Sequence, residues 1–150
     1  MMDKKKILAV DDNSISLATI EQELKRYYEI IPVNSGSRAL QYLRREQADL
    51  ILLDIQMAQK DGLETLKEIR GMSKCSDIPV IMITSKQDKA TVVRSSKLGI
   101  YDYVLKPFQG DDLRRRIERV LQQHKEHKPV AVNVNMEGMS LLEIERMMKN

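Results

Sequence analysis

The chain has 150 residues, 42% hydrophobic and 31% charged, which is room for one ordinary domain of about 100–150 residues and too little for a two-domain enzyme. A single cysteine, Cys75, excludes an intrachain disulfide and any Cys-x-x-Cys metal or redox site, and favours a reducing compartment. With 25 Lys and Arg against 22 Asp and Glu, the net charge of +3 is too small to announce a nucleic-acid protein, so DNA contact would need a local patch.

The basic cluster Lys4 to Lys6 begins no secretory leader, because only Ile7 to Val10 follows before Asp11 and Asp12. That run is the first of five short stretches rich in branched residues, each of strand length. Leu17, Ile20 and Leu24 then fall on one helical face. Ile30 to Val33 is the second run, punctuated by Asn34 to Ser37 and followed by the helical spacing Ala39, Leu40, Leu43. Leu50 to Leu53 is the third; Asp61 with Gly62 opens a helix through Leu63, Leu66 and Ile69. Ile78 to Ile83 is the fourth, followed by Val92, Val93 and Leu98, with Gly99 where that helix ends. The weaker run Tyr101 to Leu105 precedes Leu113, Ile117, Val120 and Leu121.

Strands alternating with helices read as βα units, and strands covered on both faces explain runs that are continuously apolar. The sequence therefore predicts a doubly wound α/β domain with a five-stranded parallel sheet over residues 1–123. Residues 124–139, with Pro129, two Asn and a Gly, read as a linker. Residues 140–150 carry a helix signature: Ser140 as N-cap, Glu143 completing a capping box, Met139 and Ile144 as a hydrophobic staple. So short a helix is marginal alone in water, which leaves two readings: a docking tail, or the start of an effector region. No apolar stretch approaches the roughly 18–20 residues of a membrane span, and a soluble cytoplasmic protein is the expectation.

In an open parallel α/β sheet the ligand site lies beyond the carboxyl ends of the strands. There stand Asp11 and Asp12 after the first run, Asp54 after the third, Thr84 and Ser85 after the fourth, and Lys106 and Pro107 after the fifth. Each alone reads equally well as a cap, a turn residue or a solvated charge. Together, three acids on one rim would repel one another unless a divalent cation sat among them, and magnesium suits few carboxylates plus water and phosphate oxygens. Lys106 and Thr84 supply an ammonium and a hydroxyl for phosphoryl oxygens, and an aspartate beside the metal can serve as the nucleophile.

These residues resemble the receiver domains of two-component response regulators over roughly residues 5–123. The resemblance rests on Val10-Asp11-Asp12, Leu53-Asp54-Ile55-Gln56-Met57 with Asp61-Gly62, Ile83-Thr84-Ser85, and Tyr103-Val104-Leu105-Lys106-Pro107-Phe108, in order at matching strand ends. It implies a flavodoxin-like sheet of order 2-1-3-4-5. It implies Asp54 as phosphoacceptor from a phosphohistidine on a sensor histidine kinase or phosphotransfer protein. Mg2+ would be held by Asp11, Asp12, Asp54 and the main-chain carbonyl of Gln56, with Lys106 pairing with the phosphoryl oxygens. Thr84 and Tyr103 would act as switch residues that repack the face of the fourth helix, fifth strand and fifth helix for a partner or a second copy. The Lys106-Pro107 bond would be cis, which an X-Pro bond permits at little cost.

Two departures stand out. Ala58 occupies a position where the family usually has proline, so the loop bearing Gln56 and Met57 is expected to be less rigid. Ser85 stands where alanine is common, and Gln56 and Lys86 sit at variable positions similar to those that tune phosphoryl lifetime. Arg114, Arg115, Arg116 and Arg119 read as a solvated face, with nucleic acid a partner only through an effector region. His124 and His127 read as solvated linker residues, and Met147 and Met148 as adaptable apolar contacts. The competing functions are a receiver-like interaction module without phosphorylation and a magnesium-dependent phosphohydrolase. The latter is disfavoured because Asp11-Asp12-Asn13 lacks the Asp-x-Asp spacing. Glycine-rich nucleotide-binding motifs are absent.

Overall fold

The computed structural model describes residues 3–85 and 89–126. Five strands, β1 (Lys6–Val10), β2 (Glu29–Val33), β3 (Leu50–Asp54), β4 (Val80–Thr84) and β5 (Asp102–Leu105), alternate with α1 (Ser14–Leu24), α2 (Gly36–Arg45), α3 (Gly62–Gly71), α4 (Lys89–Lys97) and α5 (Gly110–Glu126). All strand pairs are parallel, in the order β2-β1-β3-β4-β5. The doubly wound fold expected from the residues is the fold observed.

Why the strand sequences lack alternation is visible in how they divide. Successive side chains point to opposite faces, and both faces are covered. Leu8, Val10, Ile51, Leu53 and Met82 face one cluster with Leu40, Leu66, Ile69 and Val92, the residues of α2, α3 and α4. Ile7, Ala9, Leu50, Leu52, Ile81 and Ile83 face the other, with Leu24, Leu113 and Ile117 of α1 and α5. The edge strand β2 is only half-buried, and it accommodates Pro32, which pairs with Ala9 on its single partnered side.

Strand boundaries shift where backbone donors are missing. The fourth strand begins at Val80 and not Ile78, because Ile78 donates its amide to Cys75 in the preceding 3-10 turn and Pro79 has no amide to offer. Gly99, at φ 87°, closes the α4 end in a left-handed conformation. Around it Arg70 of α3 directs its donors to main-chain carbonyls: Nε to Leu98, Nη1 to Cys75, Ser76 and Ile78, and Nη2 to Gly99.

Helix α5 runs to Glu126, past the linker boundary expected at His124. His124 is no solvated linker residue: its Nε2 lies 2.7 Å from the Asp77 carbonyl and its ring meets Tyr101 edge-on at 6.0 Å. His127, Lys86, the remaining linker and the tail helix of Ser140, Glu143, Met139, Ile144, Met147 and Met148 lie outside the described residues.

The arginine group on α5 also differs from a uniform solvated face. Arg115 is exposed, but Arg116 turns inward and its Nη1 donates to both carboxylate oxygens of Asp102 at 3.0 Å, while its Nε donates to Asp112 at 2.9 Å. Asp102 is 1% exposed, so burial pushes its carboxyl upward even though Arg116 opposes the shift. Arg114 pairs with Glu118 and lies over the Tyr27 ring at 4.8 Å. Removing one partner of a buried pair leaves the other charge uncompensated. Arg116→Ala is expected to cost about 3 kcal/mol of stability in urea denaturation, with Arg119 at 3.6 Å from Asp102 as a partial substitute. Arg115→Ala should change stability by less than about 0.5 kcal/mol.

Candidate functional site

The carboxyl ends of β1, β3, β4 and β5 open onto one rim, and the local sequence decides which side chains reach it. Helix α1 is capped by Asn13, whose side chain accepts the amides of Ile15 and Ser16 at 2.9 and 3.0 Å. With the capping role filled, Asp11 and Asp12 are released for the site. Asp11 is buried and its Oδ1 accepts the Asn13 amide at 2.9 Å; Asp12 is exposed. Asp54, the last residue of β3, is buried, with Oδ1 accepting the Gln56 amide at 3.3 Å. One carboxylate oxygen from each of Asp11, Asp12 and Asp54 falls within 4.8 Å of the others.

Lys106 enters this cluster from the end of β5. Its Nζ donates to Asp11 Oδ2 at 2.6 Å, to Ser16 Oγ at 3.3 Å and to Asp54 Oδ2 at 3.4 Å. The backbone that delivers it is anchored by its own amide on the Thr84 carbonyl at 2.8 Å, and the Lys106-Pro107 peptide is cis. Thr84 is wholly buried at the end of β4. Tyr103 is wholly buried too, in the cluster beneath α2, α3 and α4. Ser16 is a site neighbour that no motif in the sequence singles out. Its signal is positional: it lies in the first turn of α1, bonded back to the cap that also releases the aspartates.

The loop from β3 to α3, which lacks a proline, makes main-chain bonds of its own. Ile55 O accepts the amides of Met57 at 3.1 Å and Gly62 at 2.9 Å, Gln59 adopts φ 65°, and the Ala58 amide donates to Asp12 Oδ2 at 2.9 Å. Proline could not have made that last bond. Gly62 is required by contact: a Cβ there would lie 2.2 Å from the Asp54 carbonyl oxygen. Asp61 caps α3 by accepting the Glu64 amide at 2.9 Å. The Gln56 side chain accepts from the hydroxyl of Ser85, just past β4, at 2.6 Å.

Three carboxylates face one ammonium here, and the imbalance is written on Asp54. Its carboxyl is raised from 3.8 to about 6, first by burial and then by the charge of Asp11, with Lys106 pulling the other way. A rim of close carboxylate oxygens, net negative and partly open to solvent, is the donor set a small hard dication takes. The residues present therefore fit magnesium.

The same order of elements occurs in known proteins. The response regulator receiver domain family matches residues 7–118. The transcriptional regulatory protein ZraR of Escherichia coli (strain K12) is 41% identical over 117 residues, covering 77% of this chain and 26% of that protein. The alkaline phosphatase synthesis transcriptional regulatory protein PhoP of Bacillus subtilis (strain 168) is 31% identical over 141 residues, covering 92% of this chain and 58% of that one. The chain thus spans between about a quarter and somewhat over half the length of these relatives. Among solved structures, a CheY-like response regulator receiver domain protein from Methanospirillum hungatei JF-1 superposes with TM-score 0.79 at 26% identity, over 84% of this chain and 100% of that one. The chemotaxis protein CheY4 of Vibrio cholerae gives 0.75 at 26% identity, over 78% and 98%. With the family matched across most of the chain and the fold shared from end to end of these neighbours, the chain belongs to the response regulator receiver domains.

Proposed function

We propose that this receiver works as a phosphorylation-controlled switch, with Asp54 as the acceptor. The observation that carries the reading is Lys106 Nζ seated between Asp11 and Asp54 inside a cluster of three carboxylates. An Asp54 oxygen attacks phosphorus of a phosphohistidine on a sensor kinase or phosphotransfer protein, forming the P–O bond as the P–N bond breaks and the imidazole leaves with the electron pair. Asp11, Asp12, Asp54 and the Gln56 carbonyl would hold Mg2+, which offsets the negative charge on the acceptor and the incoming phosphoryl oxygens. Lys106 then pairs with a phosphoryl oxygen, and the Thr84 hydroxyl supplies a donor on the β4 side.

The donor protein has a surface to meet. Ile15 is 76% exposed, and with Ser16, Pro107 and Phe108 it lines a cleft of about 420 Å3 beside Lys106. Ile15, Ile20, Pro107 and Phe108 together give this cleft an apolar lining at the edge of a charged site, which suits an apolar contact from the donor. On the output side, Thr84 and Tyr103 stand at the carboxyl end and within the β4–β5 pair, so a rearrangement there is passed to the α4–β5–α5 face, the surface proposed for partner binding or self-association. The relatives named above are transcriptional regulators, so an effector region and a cytoplasmic setting belong to this same reading. Among the described residues no helix is long and apolar enough to cross a membrane.

Two outcomes are expected. Incubation with magnesium and a small-molecule phosphodonor should add one phosphoryl group by intact mass, absent from Asp54→Asn; an adduct that persists in the variant, or none at all on wild type with magnesium bound, would overturn the assignment. The second concerns pH. Because the folded-state carboxyl of Asp54 lies above its ordinary value, the folded chain holds a proton across the window from 3.8 to about 6 that the unfolded chain has released. Stability therefore falls as pH rises through that window, and the full cost stands above it. Metal-free Asp54→Asn should accordingly be about 1–3 kcal/mol more stable than wild type near pH 7, the gain fading by about pH 4. Magnesium should raise the melting temperature of wild type and leave that of the variant little changed.

A further inference from the structure

We infer that the Ala58 main-chain amide is a positioning group for Asp12, fixing the outer carboxylate of the cluster and the Gln56 loop in one shared arrangement. The inference rests on the reading that the cluster holds a divalent cation, and it concerns a bond this chain can make because residue 58 is not proline.

The three acids are not equally supported. Asp11 and Asp54 are buried, each accepts an amide from two residues along its own loop, and both reach Lys106. Asp12 is exposed and has no ion pair among the described residues. Its carboxylate is held instead from a different loop, by the Ala58 amide at 2.9 Å across 46 positions of sequence. An exposed aspartate without that donor is free to turn into water, and a ligand that must first swing back from solvent binds a cation less tightly than one already turned toward it.

The tether acts in both directions. Ala58 lies two residues after Gln56, and Gln56 itself sits in a turn closed by the Met57 amide on Ile55 O at 3.1 Å, so only Met57 separates that turn from the tethered Ala58 amide. Orienting Asp12 and setting the Gln56 backbone are therefore one event. Ligands from the β1–α1 loop and the β3–α3 loop are registered against each other before any ion arrives. A neutral amide on one carboxylate oxygen also leaves the second oxygen of Asp12 uncommitted and its charge uncancelled, which a lysine in the same place would not.

The test uses the full chain and magnesium chloride, read by titration calorimetry. Ala58→Pro removes the donor and should weaken Mg2+ binding about 10-fold, the lower end of the range for losing a group that orients a metal ligand. Ala58→Gly keeps the amide and should bind close to wild type. Amide hydrogen exchange without metal gives an independent arm: the Ala58 amide should exchange slowly in wild type and markedly faster in Asp12→Ala. That arm decides the matter if the proline variant fails to fold. Equal affinity for Ala58→Pro and wild type, or an Ala58 amide indifferent to Asp12→Ala, would overturn the inference. Failure of the underlying reading shows differently: wild type takes up no Mg2+, or Asp54→Asn binds it unchanged, and the cation role of Ala58 falls with it.

Discussion

Mutual repulsion among Asp11, Asp12 and Asp54 is the constraint around which the rim is organised. Carboxylates this close, two of them buried, cannot all be ionised at no cost, and the burden is visible on Asp54, whose carboxyl is pushed well above its ordinary value. Every nearby feature reduces that burden or holds the acids against it. Lys106 supplies a compensating charge, the Asn13, Gln56 and Ala58 amides supply donors, and Gly62 lets the chain pass close against the Asp54 carbonyl. The result is a folded protein with one region left electrostatically unfinished, which is the condition for a small dication and a phosphoryl group to matter to its stability.

The division of labour at the start of α1 shows how a cap and a site share a loop. The Asn13 side chain meets orphan amides of the first turn, which leaves the two preceding acids to face the rim. The same division recurs at α3, where Asp61 caps the helix and Gly62 permits the close approach behind Asp54.

Much of this is legible in the residues themselves. Strand identity follows from short branched runs, and the unbroken apolar character of β3 and β4 marks them as sheet interior; strand-end positions then gather Asp11, Asp12, Asp54, Thr84 and Lys106 on one rim. What stays hidden shares a physical character: it depends on a partner far away in the chain or in the third dimension. The Ala58 amide finds Asp12, His124 finds the Asp77 carbonyl, and Arg116 finds Asp102, none of which a periodicity or a local motif announces. A missing proline after Met57 suggests a loosened loop, whereas the amide that alanine retains is what fastens it. The charged neighbours of Arg116 suggest a solvated side chain, although a rotation of one residue about the helix decides whether it looks outward or in.

The α4–β5–α5 face is not mechanically uniform. Helix α5 is joined to β5 by the buried Asp102–Arg116 pair. The carboxyl end of α4 is clasped by Arg70, whose guanidinium grips Leu98 and Gly99 while anchored in the segment leading to β4. That clasp closes the carboxyl end of α4 where Gly99 turns left-handed, and it ties this end of the helix to the backbone that leads into β4. The two helices of this face are therefore fastened to different parts of the fold: α5 to the edge strand β5 through a buried ion pair, α4 to the α3 side chain and pre-β4 backbone through its last carbonyls.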